Sequence, residues 1–153
     1  MPFVWTSRVR YVDTDASGRI HFTAMLRHFE AAEIEFMRSL GEVFTEARRS
    51  DISLPRVRVE CTYTASVRYD DVLDIAVSVA RVGNASYELT FEATVEGNLV
   101  AQGSFIVVAM DNQTQRSRAL PEALARMLRG RQPGAAVPAA DSLPGAEQAP
   151  DQD

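Results

Sequence analysis

The stretch that decides the fold is residues 11–41, YVDTDASGRIHFTAMLRHFEAAEIEFMRSLG. Its second half repeats apolar side chains every three or four residues, the spacing of one face of an α-helix. The members of this stripe are Phe22, Met25, Leu26, Phe29, Ala32, Phe36 and Leu40. So broad a stripe predicts a helix from about Phe22 to Leu40 that packs against a large surface, and Gly41 is a suitable residue for its end.

The sequence on both sides of this stretch favours β-strands. Residues 3–12 are rich in β-branched and aromatic side chains, which are typical of strands. After Pro55, turn-forming residues separate four strand-like runs, RVRVECTYTASV, DVLDIAVSVARV, ASYELTFEATVE and NLVAQGSFIVVAMD. In the first run, Val57, Val59 and Cys61 share one face. One long helix with tightly connected strands predicts an α+β fold, with a mostly antiparallel sheet arranged as a meander.

The remaining segments set the domain boundaries. The segment EVFTEARRSD after Gly41 is helical or irregular, and PEALARMLRG predicts a short closing helix that starts near Pro121. From Arg131 the chain is acidic, rich in Pro, Ala and Gly, and poor in large apolar side chains. Such a composition cannot bury enough surface to offset the entropy of ordering. We therefore expect one domain at 1–130 and a disordered tail at 131–153.

Composition excludes several classes of function. The net charge of −5 argues against binding nucleic acid through its phosphates. All 16 basic residues are arginine, which excludes a lysine nucleophile, a Schiff base and a P-loop, but leaves a phosphate-bearing substrate open. The single cysteine, Cys61, cannot form an internal disulfide and is expected to be a buried structural thiol. No long apolar run or signal peptide is recognisable, so the expected location is cytoplasmic.

Candidate chemistry concentrates at DTDASGRIHF, where Asp13 and Asp15 precede Gly18 and the predicted helix start. The first turn of a helix has unpaired backbone N–H groups and a partial positive charge, so it can hold a developing oxyanion. A carboxylate beside it can act as a nucleophile or as a general base on water. The alternative is that either acid merely caps the helix and that Gly18 only forms a turn.

This same stretch resembles the signature of the 4-hydroxybenzoyl-CoA thioesterase family of hotdog proteins, and that of the related thioesterases associated with the Tol-Pal system. The shared pattern is a strand, D-x-D-x-x-G, an aromatic pair, and a helix with an F-E-A segment. LPRVRVECTYTASVRYDDVLDIAVSV is similar to the family's central strands, and the resemblance covers about residues 5–128. It implies a hotdog fold, in which an antiparallel sheet wraps around one long central helix. It also implies a homodimer or homotetramer with sites at subunit interfaces, and an acyl-CoA thioesterase that needs no metal or redox cofactor.

The resemblance also implies roles for individual residues. The catalytic carboxylate of the family falls on Asp15, which would attack the thioester carbonyl or activate water. The backbone N–H of Phe22 would hold the carbonyl oxygen, and Gly18 would let the chain approach the thioester closely. His21, Phe22 and Met25 are candidates for binding the substrate, and for His21 a catalytic role is the alternative to a packing or pocket-wall role. The Tol-Pal branch has histidine in the column of Phe22, so its histidine assistance is not expected here, and the hydroxybenzoyl substrate is not carried over.

Several charged residues need separate interpretation. Arg56, Arg58, Arg68 and Arg81 are candidates for the phosphates of CoA, with surface solubility as the alternative for each. His28 is expected on the polar face of the helix, beside Arg27 and Glu30. Glu33 falls within the apolar stripe, so it should form a salt bridge or a dimer contact, or act as a second site carboxylate. No His or Cys cluster predicts a metal site.

Two rival functions stay open at this point. A hydratase or dehydratase of the same fold should show an Asp–His dyad in a G-D-x-N-P context, which this chain lacks. A non-catalytic acyl-CoA-binding module should lack a positioned carboxylate. From the sequence, the acyl group stays open. The carrier of that group can be CoA or acyl carrier protein, and Asp15 can act as a nucleophile or as a general base.

Overall fold

The computed structural model describes residues 2–134, so most of the predicted tail, from residue 135 onward, lies outside the described residues. The strands are β1 (Phe3–Arg8), β2 (Ile52–Ser53), β3 (Arg56–Tyr63), β4 (Val72–Val82), β5 (Ser86–Val95), β6 (Asn98–Val108) and β7 (Met110–Asp111). The helices are α1 (Ala24–Arg38), α2 (Glu42–Arg49) and α3 (Glu122–Gly130), and a 3₁₀ helix spans Tyr11–Asp13. Within this part of the chain, no helix is both long enough and apolar enough to cross a membrane.

The main sheet has five strands in the order β1-β4-β5-β6-β3, and every pairing is antiparallel. The antiparallel prediction is confirmed, but the meander covers only β4, β5 and β6. Strands β1 and β3 pair with β4 and β6 instead, at opposite edges of the sheet. The sequence did not predict the small second sheet of β2 and β7, whose strands have two residues each.

The long helix α1 packs against the inner face of the sheet, as its stripe predicts. The Phe29 ring stacks on Phe91 at 4.9 Å between centroids, and both rings are buried. Gly103 on β6 makes this approach feasible, because a Cβ there would come within 2.8 Å of Cε2 of Phe29 and 2.3 Å of the Glu60 carbonyl oxygen. Only glycine fits between the helix and the neighbouring strand at this point.

Two details of the helix region differ from the sequence predictions, and one feature of β3 was not predicted. Phe22 lies before α1 and is 71% exposed, so it does not belong to the buried stripe. His28 is only 7% exposed, so its assignment to the polar face is wrong. The apolar face of β3 is not covered within this chain, since Val57 is 62% and Val59 43% exposed.

The prediction that Glu33 needs a partner is confirmed. Its side chain is fully buried in α1 and forms an ion pair with Arg56 of β3. Burial raises the pKa of Glu33, although hydrogen bonding to Arg56 opposes the rise. Arg56 therefore stabilises a buried acid, and its guanidinium is engaged in the core rather than free for a ligand.

The buried carboxylate of Asp13 ties the end of β1 to α1. Its Oδ2 accepts the backbone N–H of Arg10 at 2.9 Å and Nε2 of His28 at 3.0 Å, and its Oδ1 accepts Nη2 of Arg27 at 3.1 Å. Its backbone oxygen accepts the N–H of His21 at 2.7 Å. Burial alone raises the pKa of Asp13, but these hydrogen bonds and the charge of His28 outweigh it, so the pKa lies below the ordinary 3.8.

We predict that Asp13→Asn lowers the free energy of unfolding by about 2 kcal/mol at neutral pH, because hydrogen bonds to a charged acceptor are lost. A lowered folded-state pKa contributes stability above pH 3.8, and this contribution disappears as the pH falls through the folded-state value. Urea unfolding from about pH 7 to pH 3 should therefore show the gap between wild type and variant closing on acidification. Asp51→Asn is the control, because Asp51 is exposed. A gap that is constant with pH would contradict this account.

Candidate active site

A short hairpin carries the predicted catalytic acid to the start of α1. Thr14 and Ile20 form an antiparallel bridge, and the N–H of Asp15 donates to the Arg19 carbonyl at 2.9 Å. Ile20 in turn donates its N–H to the Val67 carbonyl at 2.8 Å, which fixes the hairpin to the connection between β3 and β4. The Asp15 turn is thus anchored to the sheet, although its side chains are exposed.

The carboxylate of Asp15 is exposed, and only one of its two oxygens accepts hydrogen bonds. Its Oδ1 accepts the N–H of Ser17 at 2.8 Å and the Ser17 hydroxyl at 2.5 Å, while Oδ2 accepts no hydrogen bond from residues 2–134. The Ser17 hydroxyl and N–H lower the pKa of Asp15, with smaller contributions from the charges of His21 and Arg19. Asp15 is therefore ionised at neutral pH, with one oxygen held and the other available for chemistry.

Gly18 closes the Asp15 turn. Its N–H donates to the Asp15 carbonyl at 3.0 Å, and its φ of +77° lies in the region that favours glycine. A Cβ at this position would meet nothing within 4 Å. The backbone conformation therefore requires glycine here, and the space above the turn is open.

The backbone N–H of Phe22, the predicted oxyanion donor, makes no hydrogen bond within the described part of the chain. On the other side of the same residue, the Tyr63 hydroxyl of β3 donates to the Phe22 carbonyl. Burial raises the pKa of Tyr63, so this hydroxyl stays protonated and acts as a donor. Tyr63 thus bonds to Phe22, the residue whose N–H is free. This role of Tyr63 was not predicted, because the two residues are 41 positions apart.

The other predicted pocket residues divide between surface and core. The His21 ring stacks on Phe22 at 4.5 Å, and its Nδ1 lies 2.8 Å from the Thr23 hydroxyl. Met25 is fully buried, so it supports α1 from beneath and lines no open surface of this chain. Asp15, Gly18 and Phe22 are exposed, and they line none of five cavities found in residues 2–134. The acid therefore lies on an open surface of the single chain.

Three of the four arginines predicted as phosphate ligands have different surroundings. Arg56 pairs with Glu33, and Arg58 pairs with Glu60 on the same strand. Arg68 forms no ion pair with residues 2–134, and it faces Arg19 of the Asp15 hairpin across an isolated β-bridge. Arg19 therefore lies in the Asp15 hairpin itself, where its charge contributes to the lowered pKa of Asp15, and Arg68 is joined to Arg19 by the bridge. Arg19 was not predicted as a phosphate ligand, because its pairing with Arg68 depends on the fold.

Within the described residues, neither a reactive cysteine nor a metal cluster adds to this site. Cys61 is half-buried on β3, and burial raises the pKa of its thiol, which keeps the thiol protonated. Among residues 2–134, no three His, Cys, Asp or Glu side chains are placed to hold one metal ion. The Asp15 hairpin and the residues bonded to it therefore provide a free carboxylate oxygen, the free backbone N–H of Phe22, and the bridged pair Arg19 and Arg68.

Comparisons with known proteins identify the family of the chain. The family model of the thioesterase-like superfamily matches residues 9–128. A 1,4-dihydroxy-2-naphthoyl-CoA hydrolase from Synechococcus sp. (strain CC9605) is 32% identical over 134 residues, which cover 83% of this chain and 90% of the relative. The acyl-CoA thioester hydrolase YbgC of Escherichia coli O6:H1 is 29% identical over 125 residues, which cover 80% and 92%.

Solved structures support the fold. The 1,4-dihydroxy-2-naphthoyl-CoA thioesterase Slr0204 from Synechocystis aligns with a TM-score of 0.76 at 18% identity, covering 84% of this chain and 96% of that one. The hotdog prediction is thereby confirmed. The family match and the 32% identical relative together establish kinship over most of the chain. The chain therefore belongs to the thioesterase-like superfamily, and the class of activity that this membership carries is thioester hydrolysis.

Proposed function

We propose that this chain hydrolyses acyl-CoA thioesters to a carboxylic acid and free CoA, with Asp15 as the nucleophile or general base. The observation that carries the proposal is an ionised, exposed carboxylate with one free oxygen in a hairpin that leads directly to an unbonded backbone N–H. The named relatives that act on CoA thioesters support the substrate class. No metal or redox cofactor enters the mechanism, and the cytoplasm remains the expected location.

The reaction needs an attacker and a donor. In one route the free oxygen of Asp15 attacks the thioester carbonyl, the C–S bond breaks to release CoA, and water then hydrolyses the mixed anhydride. In the other route, Asp15 removes a proton from the water that attacks. In both routes the carbonyl oxygen gains negative charge, and the N–H of Phe22 is the donor that would stabilise it. The Tyr63 hydroxyl, bonded to the Phe22 carbonyl, would keep this peptide oriented.

The phosphates of CoA require cations near the acid. Arg19 and Arg68 meet across an isolated bridge, and neither forms an ion pair with residues 2–134. Residues opposite each other in an antiparallel bridge project their side chains to the same side, so one phosphate could accept forked hydrogen bonds from both guanidinium groups. We therefore assign the nucleotide end of the substrate to Arg19 and Arg68, in preference to the paired Arg56 and Arg58.

A second copy of the chain would complete the site. Strand β3 is a free edge of the sheet, and Val57, Val59 and Tyr63 are exposed along it. Two β3 strands paired antiparallel about Val59 would bring Arg58 opposite Glu60 of the partner subunit, an attractive cross-strand pair. Tyr63 links this edge to Phe22, so the same partner would wall in the open surface beside Asp15. A homodimer is therefore part of the proposal.

The first test is thiol release from a panel of acyl-CoAs, followed with a thiol reagent. We expect turnover of at least one acyl-CoA, and a loss of about 10²-fold or more in kcat for Asp15→Asn. Asp51→Asn removes an equally exposed carboxylate elsewhere and should leave kcat unchanged. Undiminished release by Asp15→Asn would refute the mechanism. Single turnover in ¹⁸O-water separates the two routes, since only the anhydride route places label in Asp15.

The second test separates nucleotide binding from chemistry. Arg19→Gln and Arg68→Gln should each raise KM for the best acyl-CoA about tenfold, the effect of losing roughly 1.4 kcal/mol of charge-assisted hydrogen bonding. KM for the same acyl group on N-acetylcysteamine, which has no phosphate, should not change. The control is Arg81→Gln, because this fourth candidate arginine is exposed near the end of β4 that is farther from the Asp15 hairpin. Equal effects on both substrates would remove these arginines from the phosphate site.

The third test concerns the second copy. Light scattering after gel filtration should give about twice the chain mass of 16.9 kDa for the wild type. Val59→Arg should be monomeric and inactive toward acyl-CoA, because it places like charges opposite each other at the centre of the paired edge. Val4→Arg changes an exposed valine on the opposite edge strand and should remain dimeric and active. A monomeric wild type with full activity would contradict the proposal.

A further inference from the structure

Away from Asp15, three side chains from different elements form a continuous hydrogen-bonded line. The Ser7 hydroxyl of β1 lies 2.6 Å from Nδ1 of His28 on α1, and Nε2 of His28 lies 3.0 Å from Oδ2 of Asp13. His28 and Asp13 are buried, while Ser7 is half-buried. Serine, histidine and an acid joined in this order are the parts of a nucleophilic hydroxyl, its base and the group that holds the base, and they are recognised by geometry rather than by sequence order.

The charge of Asp13 determines which ring nitrogen of His28 carries a proton. Asp13 has a pKa below the ordinary value, so its carboxylate is ionised and can only accept hydrogen bonds. Nε2 of His28 must therefore carry a proton and donate it to Asp13. In the neutral ring, Nδ1 is then the acceptor, and the partner that can donate to it is the Ser7 hydroxyl. Hydrogen bonding thus sets the tautomer in which His28 can remove the proton of Ser7.

The same line opens into a cavity of about 470 Å³ between β1, the 3₁₀ helix and α1. Ser7, Asp13 and His28 all lie in its wall, and Asp15 does not. Three arginines share the wall with them: Arg8, Arg10 and Arg27. A small molecule in this cavity would meet the Ser7 hydroxyl and several guanidinium donors together, in a space separate from the Asp15 surface.

We propose that Ser7 is the nucleophile of a second hydrolytic site, which acts on small esters that bear an anionic group. The Ser7 Oγ attacks the ester carbonyl while its proton passes to Nδ1 of His28, and the oxyanion is stabilised by Arg10 and by the N–H groups of Arg27 that Asp13 does not use. The C–O bond to the leaving alcohol breaks, and the alcohol takes the proton from His28. Water then hydrolyses the acyl-Ser7 with His28 as base, which releases the acid and restores the hydroxyl.

A fluorophosphonate probe on the full-length chain tests for an activated serine. Trypsin cuts after Arg8, and Ser7 is the only serine before that point, so mass spectrometry can assign the label directly. We expect stoichiometric labelling of Ser7 in the wild type and none at this peptide in Ser7→Ala. Thr6→Ala removes the neighbouring hydroxyl of the same cavity, which donates to Asp74 instead of His28, and should be labelled at the wild-type rate.

The role of His28 and the substrate class have their own measurements. His28→Gln keeps an amide that can bond to Asp13 but has no base, so labelling should slow about 10²-fold or more, with circular dichroism confirming that the variant is folded. The mono-4-nitrophenyl ester of succinate should be hydrolysed faster than 4-nitrophenyl acetate, and Ser7→Ala should lose both activities. An unlabelled Ser7 in the wild type, or hydrolysis that is the same in Ser7→Ala, would overturn the proposal. Wild-type labelling of His28→Gln would do so as well.

Discussion

The candidate site depends on the hydrogen bonds that the buried carboxylate of Asp13 accepts. An ionised acid this deep is stable only because the Arg10 N–H, Arg27 and His28 all donate to it. Those donors belong to the end of β1 and to α1, so one charge joins the sheet to the helix. Asp15 follows two residues later, and the Asp13 carbonyl holds the N–H of His21. The position of the exposed acid is therefore determined by the buried one.

The parts of this architecture that depend on local pattern could be predicted. The three- and four-residue spacing of Met25, Phe29 and Phe36 predicted α1, and the tight turns between strand-like runs predicted the antiparallel sheet. The strand order could not be predicted, because β1 and β3 find their partners across long stretches of chain. The two-residue strands β2 and β7 are too short for any periodicity. His28 was assigned to the polar face of the helix because its neighbours in the sequence are charged. It is buried because it bonds to Ser7 and Asp13, which lie on other elements.

The same distinction applies to the charged residues of the site. Glu33 could be predicted to need a partner, because an acid in an apolar stripe cannot remain unpaired. Arg56 is the partner because β3 passes over the helix, and this packing depends on the fold. From the sequence alone, Arg56 was therefore predicted to bind phosphate. The turn at Asp15 and Gly18 was readable from its residue types. The contact of Tyr63 with Phe22 was not, since the two residues approach only when β3 lies beside the helix start.

The exposure of Asp15 and the free edge of β3 are best explained together. A backbone N–H stabilises an oxyanion far more in a water-excluded site than in open solvent, because water screens the interaction. A single chain leaves both Asp15 and Phe22 facing water, and it leaves apolar side chains exposed along the neighbouring edge strand. Each exposure alone is unfavourable, one for catalysis and the other for solubility. A second copy paired along β3 would remove both at once, since Tyr63 joins that edge to the residue whose N–H is free.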